Sequence, residues 1–152
     1  MGLAGSLPRT QMASPFTSPE EFREVMDRVF TMMSEDPEMG PKLRDADVPQ
    51  RFEFSDLDLV MNVRAGRADE GANLHWEWTD EIAWSASVRM KMSSETANRY
   101  FQGRENVAFA IARGRIKTGG DIKAALQLIP ITKPIYERYR AVVAEEFPHL
   151  AV

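Results

Sequence analysis

The feature that most constrains this chain is a change in the period of its apolar residues, from about 3.6 to two and back again. Phe22, Val25, Met26, Val29, Phe30 and Met33 recur at spacings of three and four, the stripe of one helix face. From Arg51 onward the period is two. Phe52 and Phe54 alternate with Arg51, Glu53 and Ser55, and Leu57, Leu59, Met61 and Val63 with Asp58, Val60, Asn62 and Arg64. Leu74, Trp76 and Trp78 alternate with His75 and Glu77, and Trp84 through Met92 repeats the pattern. Strands buried on one side and wet on the other read this way. Past Ser93 the helical spacing returns. Such a chain has one apolar sheet face and needs amphipathic helices to cover it, which makes a two-layer α+β architecture.

Punctuation residues place the boundaries. Residues 1–17 mix Gly, Ser, Pro and Thr without a period and read as a flexible tail, leaving 18–152 as a single domain. The start Met1-Gly2-x-x-x-Ser6 also fits a short myristoylation pattern. Ser18-Pro19-Glu20-Glu21 marks a helix start, and the helix ends near Asp36-Pro37. Pro37 to Pro49 reads as a connection, and the strands that follow as an antiparallel meander of three or four. Ser93 caps a helix through Gln102, and Glu105 to Arg113 forms a second, closed by Gly114. Arg115 to Thr118 is a brief strand and Gly119-Gly120 a turn. Asp121 caps a helix carrying Ile122, Ala125, Leu126 and Ile129, interrupted by Pro130 and Pro134. A last helix spans about Lys133 to Glu146, with Ile135, Tyr139, Val142 and Val143 on one side.

Composition removes several classes of function. With 152 residues, 43% hydrophobic and 28% charged, the chain is of ordinary globular make-up. No apolar run approaches the roughly 18 residues of a membrane span. The absence of cysteine rules out disulfides, thiolate metal sites and cysteine nucleophiles, and fits a cytoplasmic setting. No secretory leader is expected from the first residues, nor a peroxisomal address from His149-Leu150-Ala151-Val152. Charge is uneven: Met1 to Val88 carries 8 Lys/Arg against 17 Asp/Glu, and Arg89 to Arg140 carries 11 against 4. The basic half suits an anionic head group or membrane surface, unless the two halves interleave in space and cancel.

Catalytic signals are sparse. Of two histidines, His75 falls on the wet side of a strand and His149 near the end. Asp56, Asp58, Glu77 and Asp80 are candidates to pair with His75 for acid–base chemistry or metal binding, but solvated strand charges account for them more simply. There is no nucleophile elbow, phosphate loop or helical metal motif, so no catalytic residue, metal or cofactor is expected. Arg113, Arg115 and Lys117 come with no nucleic-acid module, so no nucleic-acid partner is expected either.

The segment Val88 to Ile129 resembles the lipid-binding domain of the sterol carrier protein type-two family. The matching residues are the strand Val88-Arg89-Met90-Lys91-Met92-Ser93 and the helix from Glu95 to Gly103. Ala108-Phe109, the basic strand Gly114-Arg115-Ile116-Lys117, and Gly120-Asp121 opening a helix through Leu126-Gln127-Leu128 complete the match. Ala83-Trp84-Ser85 stands where the family usually has Pro-Asp, and Ile131 to Val152 extends past the end of compact members. The resemblance implies a five-stranded, mostly antiparallel sheet with helices on one face, enclosing an apolar tunnel. It implies non-catalytic binding and transfer of a lipid-like guest: fatty acid, acyl-coenzyme A, sterol or similar. On that reading Trp76, Met90, Met92, Tyr100, Phe101, Phe109, Ile122, Leu126, Ile129 and Tyr139 contact the guest, and Arg113, Arg115 and Lys117 take its head group. Methionine, present nine times, suits a wall that adapts to several shapes. Plain core packing produces the same periodicity. The alternative function is an accessory or oligomerising module with a vestigial pocket, a homodimer joined through the last helix. Membrane contact is at most peripheral.

Overall fold

The first helix starts where serine and proline place it. In the computed structural model, which describes Ser14 to Val152, α1 (Pro19–Glu35) follows an extended Ser18 whose hydroxyl accepts the Glu21 N–H at 3.0 Å. Its apolar stripe is its buried face. Phe16, assigned to the tail by composition, is buried, and its ring meets that of Phe22 edge-on at 4.8 Å. The myristoylation pattern lies outside the described residues.

The connection after α1 holds a second helix, α2 (Met39–Ala46), which sequence reading missed because of Gly40 and Pro41. Pro41 stands in the first turn, where no intrahelical donor is required. Asp36 starts this helix: one carboxylate oxygen accepts the N–H groups of Glu38 and Met39 at 2.9 and 2.8 Å. Those two bonds, led by Met39, hold the Asp36 carboxyl below its ordinary range.

Five strands follow, β1 (Gln50–Phe54), β2 (Leu59–Ala65), β3 (Leu74–Glu77), β4 (Val88–Met92) and β5 (Lys117–Gly120), in spatial order β3-β2-β1-β4-β5. The first three form an antiparallel meander, but β4 lies parallel to β1, with Phe52 beside Met90 and Phe54 beside Met92. Alternation names the buried face of a strand and not its neighbour. The strand predicted from Trp84 begins only at Val88, because β1 starts at Gln50 and β5 ends at Gly120, leaving residues 84–86 nothing to pair with. The link from β3 to β4 crosses the outer face instead. It covers Asn62, whose amide donates to the Thr79 carbonyl at 2.6 Å, and Arg64, whose guanidinium lies 5.0 Å from the Trp84 ring centre.

Gly119 and Gly120 belong to β5 and do not form a turn. A side chain at Gly119 would meet the Arg89 guanidinium at 2.9 Å, and one at Gly120, where φ is +82°, would collide with the Ser87 carbonyl. Helices α3 (Ser94–Phe101), α4 (Val107–Ala112) and α5 (Ile122–Thr132) start at side-chain caps from Ser93, Asn106 and Asp121. Pro130 sits inside α5 without ending it, on the exposed side. The final helix, α6 (Ile135–Glu146), precedes a single 3₁₀ turn, Pro148–Leu150.

Most of the α6 face expected to seek a partner is already used, with Val142 half-buried. Ile135, Tyr139 and Val143 are fully buried within this chain, as is Leu150. Tyr139 donates to the Asn98 side-chain oxygen at 2.6 Å, while the amides of Asn98 and Gln102 both bind the Leu150 carbonyl, at 2.8 and 2.7 Å. The ion pair Arg138–Asp36 joins the acidic and basic parts of the sequence, and Arg28–Glu146 ties α1 to the end of α6. Arg138–Asp36 and the pairing of Glu53 beside Lys91 show that the two charge halves interleave.

Candidate functional site

Where the sheet's inner face meets α2, α3 and α5, the apolar layers do not close completely. A cavity of about 100 Å³ remains, walled by Phe52, Phe54, Val63, Leu74, Met90 and Met92 from the strands. Phe30 and Met33 of α1, Leu43 of α2, and Ala97, Tyr100 and Phe101 of α3 form one side. Val107, Ile111 and Ile116 close another, and Ile122, Ala125, Leu126, Leu128 and Ile129 of α5 close a third. The polar side chains in the wall belong to Gln50, Tyr100, Thr118 and Thr132. Tyr100 and Thr132 satisfy each other through a 2.9 Å hydroxyl contact. Burial pushes the Tyr100 phenol well above its ordinary value, so it stays neutral. Leu126 lines the cavity and is also 37% exposed, so the cavity comes within one side chain of solvent beside α5.

Seven of the ten guest-contact residues named from sequence lie in this wall: Met90, Met92, Tyr100, Phe101, Ile122, Leu126 and Ile129. Three lie elsewhere. Trp76 packs against Phe30 at 5.7 Å, and its indole N–H donates to Asp27 at 2.9 Å. Trp78 donates to the same carboxylate oxygen at 2.7 Å, so Asp27 pins α1 to the end of the meander. Tyr139 is buried behind Phe101 in the α3–α6 contact. Phe109 is 49% exposed, its ring beneath the Arg113 guanidinium at 4.5 Å.

Two of the three head-group candidates meet, Arg113 and Arg115 lying over the same Phe109 ring at 4.5 and 5.9 Å, while Lys117 stands apart. Arg113 is engaged with Phe109, and Arg115 binds Glu105 at 2.8 Å. Lys117 alternates with Ile116 and Thr118, which face the cavity, so it belongs to the opposite face beside Lys91. Of the wall residues that sequence reading passed over, Leu43 sits on the unrecognised helix α2. Gln50 was overlooked because the residue just after a proline-punctuated link carries no periodic signal.

The acidic residues near His75 are likewise dispersed. His75 meets Glu77 at 2.9 Å on the outer face. Asp56 instead accepts the backbone N–H and hydroxyl of Ser94 at 2.8 and 2.7 Å, seating the start of α3. Asp58 turns the chain at φ +54°. Among the described residues, no group of three or more His, Asp or Glu is placed to hold a metal ion, and no helix is long and apolar enough to cross a membrane.

No family model matches the chain, and no curated protein matches it. Solved structures do. A ubiquinone synthesis protein, UbiJ-SCP2, superposes with a TM-score of 0.58 at 13% identity, over 77% of this chain and 96% of that one. The apo form of sterol carrier protein 2 from Yarrowia lipolytica gives 0.51 at 12%, over 73% and 89%. The inverting sec-alkylsulfatase Pisa1 from Pseudomonas sp. gives 0.54 at 17%; the match takes in 66% of this chain but only 14% of the sulfatase. At such identities the likeness is one of architecture. Strand order, the one parallel pair and the helices gathered on one side of the sheet give this chain the sterol-carrier-protein type of α+β fold.

Proposed function

We propose that this protein binds a lipid-like apolar guest between its sheet and its helices, and carries that guest without converting it. The observation that carries the reading is the wall itself: four polar side chains among twenty-five lining residues, with no ionisable group but a phenol that burial keeps neutral. Such a lining rewards apolar surface and offers no base, nucleophile or cation for chemistry. The fold shared with sterol carrier protein 2 supports it.

Size sets how the guest is held. An apolar cavity of about 150 Å³ accommodates benzene, so the 100 Å³ found here is the closed form of the site. A longer chain enters by displacing wall. The side chains suited to that are the thioethers of Met33, Met90 and Met92, which repack at low cost, and the half-exposed edge of α5. Each methylene taken from water is worth about 0.8 kcal/mol, so about a dozen give near 10 kcal/mol before association costs.

The experiment is displacement of a fluorescent fatty acid by fatty acids, acyl-coenzyme A and sterols, with mass spectrometry of whatever organic extraction releases from the purified protein. Saturable displacement by at least one class is expected. A folded protein that binds no long-chain guest rejects the proposal.

A further inference from the structure

At the corner of the sheet where β2 ends and β1 begins, between α2 and the outer-face link, lies a second, more polar cleft of about 330 Å³. Arg44, Arg64, Arg67 and Trp84 line it, with Asp47 and Ala65. Its walls hold more hydrogen-bond donors than acceptors to receive them. Glu70 takes both terminal nitrogens of Arg64, at 2.9 and 2.8 Å, but the Arg64 Nε is buried with no acceptor among the described residues. The Trp84 indole N–H is also buried and unpaired. Arg67 has no side-chain partner among the described residues, and Arg44 only a 3.8 Å contact with its neighbour Asp45. Two orphaned buried donors on residues that line the cleft are a standing cost, and with Arg64 paired to Glu70 the guanidinium groups of Arg44 and Arg67 still outnumber the lining carboxylate of Asp47, which favours an anion.

The cleft also abuts the apolar cavity. Val63 beside Gln50 is the last pair between β2 and β1, so Arg64 and Ala65 run on with no partner on that side. The Pro49 carbonyl turns the other way, accepting from Ser87 and Val88 at 2.9 and 3.4 Å. The sheet is therefore open at this corner. Ala65 lines both spaces, and Gln50, the first residue of β1, lines the apolar one.

From this we infer that the cleft receives the anionic head group, a carboxylate or phosphate, of the same guest whose chain fills the apolar cavity. The inference rests on the carrier reading above and adds a polarity to it: chain under the helices, head at the β1–β2 corner.

Binding of oleate, oleyl alcohol and inorganic phosphate to the full chain tests it, compared across wild type, R44Q/R67Q, W84F and R113Q/R115Q. Arg64 is left alone because Glu70 depends on it. Wild type is expected to bind oleate about tenfold or more tightly than oleyl alcohol, the scale of one charge-assisted hydrogen bond. R44Q/R67Q and W84F bring that ratio towards one with the alcohol affinity unchanged, while R113Q/R115Q keeps it. W84F also leaves the melting temperature of the free protein unchanged or higher, since it deletes an unpaired donor and keeps the ring over Arg64. Equal binding of oleate and alcohol to wild type, or a ratio lost only in R113Q/R115Q, overturns the assignment and leaves the apolar cavity standing. Protection by inorganic phosphate alone, lost in R44Q/R67Q without any oleate preference, marks a free-anion cleft and overturns it too. If neither oleate nor the alcohol binds, the carrier reading falls, and this inference with it.

Discussion

Replacing Ala97 with leucine separates a guest cavity from a merely loose core. Ala97 is 2% exposed on α3, and its side chain faces the cavity between Tyr100 and Phe101. Unfilled space in a protein interior costs about 24 cal/mol per Å³, so the 100 Å³ here destabilises the empty protein by about 2.4 kcal/mol. Leucine adds three carbons to the site, worth about 0.8 kcal/mol each when buried, which is the same sum. Helix propensity changes little between the two residues. A97L is therefore expected to stabilise the guest-free protein by up to about 2.4 kcal/mol, raising the melting temperature by roughly 5–10 °C in a chain of this size. It should also weaken displacement of a fluorescent fatty acid by an order of magnitude or more, because the added side chain takes the guest's place. Urea titration and the displacement assay on one preparation give both numbers. In a fully packed layer the same change is an overpacking mutation costing about 1–3 kcal/mol. Lower stability with unaltered binding refutes the reasoning, since the two effects must have opposite signs if one space serves both.

The remaining predictions address what frames the cavity. D27A leaves the indoles of Trp76 and Trp78 without their shared acceptor and is expected to cost about 2–3 kcal/mol in urea unfolding, with a red-shifted tryptophan emission. Y139F removes the shorter of the two hydrogen bonds to the Asn98 oxygen, leaving the one from Gln102, and is expected to cost about 1–2 kcal/mol while leaving fatty-acid affinity unchanged, since Tyr139 does not line the cavity. The hydrogen bonds from Arg64 hold the Glu70 carboxyl down to about 2, below its ordinary 4.5. That pair therefore stabilises the fold above pH 4.5 and loses its contribution as pH falls towards 2, so melting temperatures of wild type and E70Q should converge over that range. Amide exchange should be faster in α4 and α5, which bury one and three residues respectively, than in α1, which buries seven, and a bound guest should slow it there first.

What the sequence discloses follows from what periodicity encodes. The stripe of α1 and the caps at Ser18, Ser93 and Asp121 are local patterns, and each lies where local chemistry puts it. Strand partners are not local. Alternation in β4 is the same whether its neighbour runs with it or against it, so the parallel β1–β4 pair was illegible. Gly119-Gly120 reads as a turn for the same reason, because the close approach of Arg89 and Ser87 that requires glycine comes from elsewhere in the chain. Among the site residues, Met90, Met92, Ile122 and Ile129 were found through strand and helix phase. Trp76 and Tyr139 were misplaced because each carries a polar atom whose partner, Asp27 or Asn98, lies far off in sequence.

Phase alone does not determine whether an apolar layer closes; the size of the side chains facing it does. Across α1 the sheet meets Phe22, Met26 and Phe30, all buried, and the layers interlock. Across α3 and α5 it meets Ala97 and Ala125 in the same inward positions. Those two helices do not sink closer to compensate, because Phe101 and Leu128, one turn on, set their distance from the strands. Nor does α3 shift sideways: Asp56 holds its start, and the Asn98–Gln102–Leu150 bonds tie its end to the C-terminal turn. A gap beneath two alanines, with large neighbours beside it and α3 held at both ends, persists in the folded state because closing it would break the contacts that seat α3.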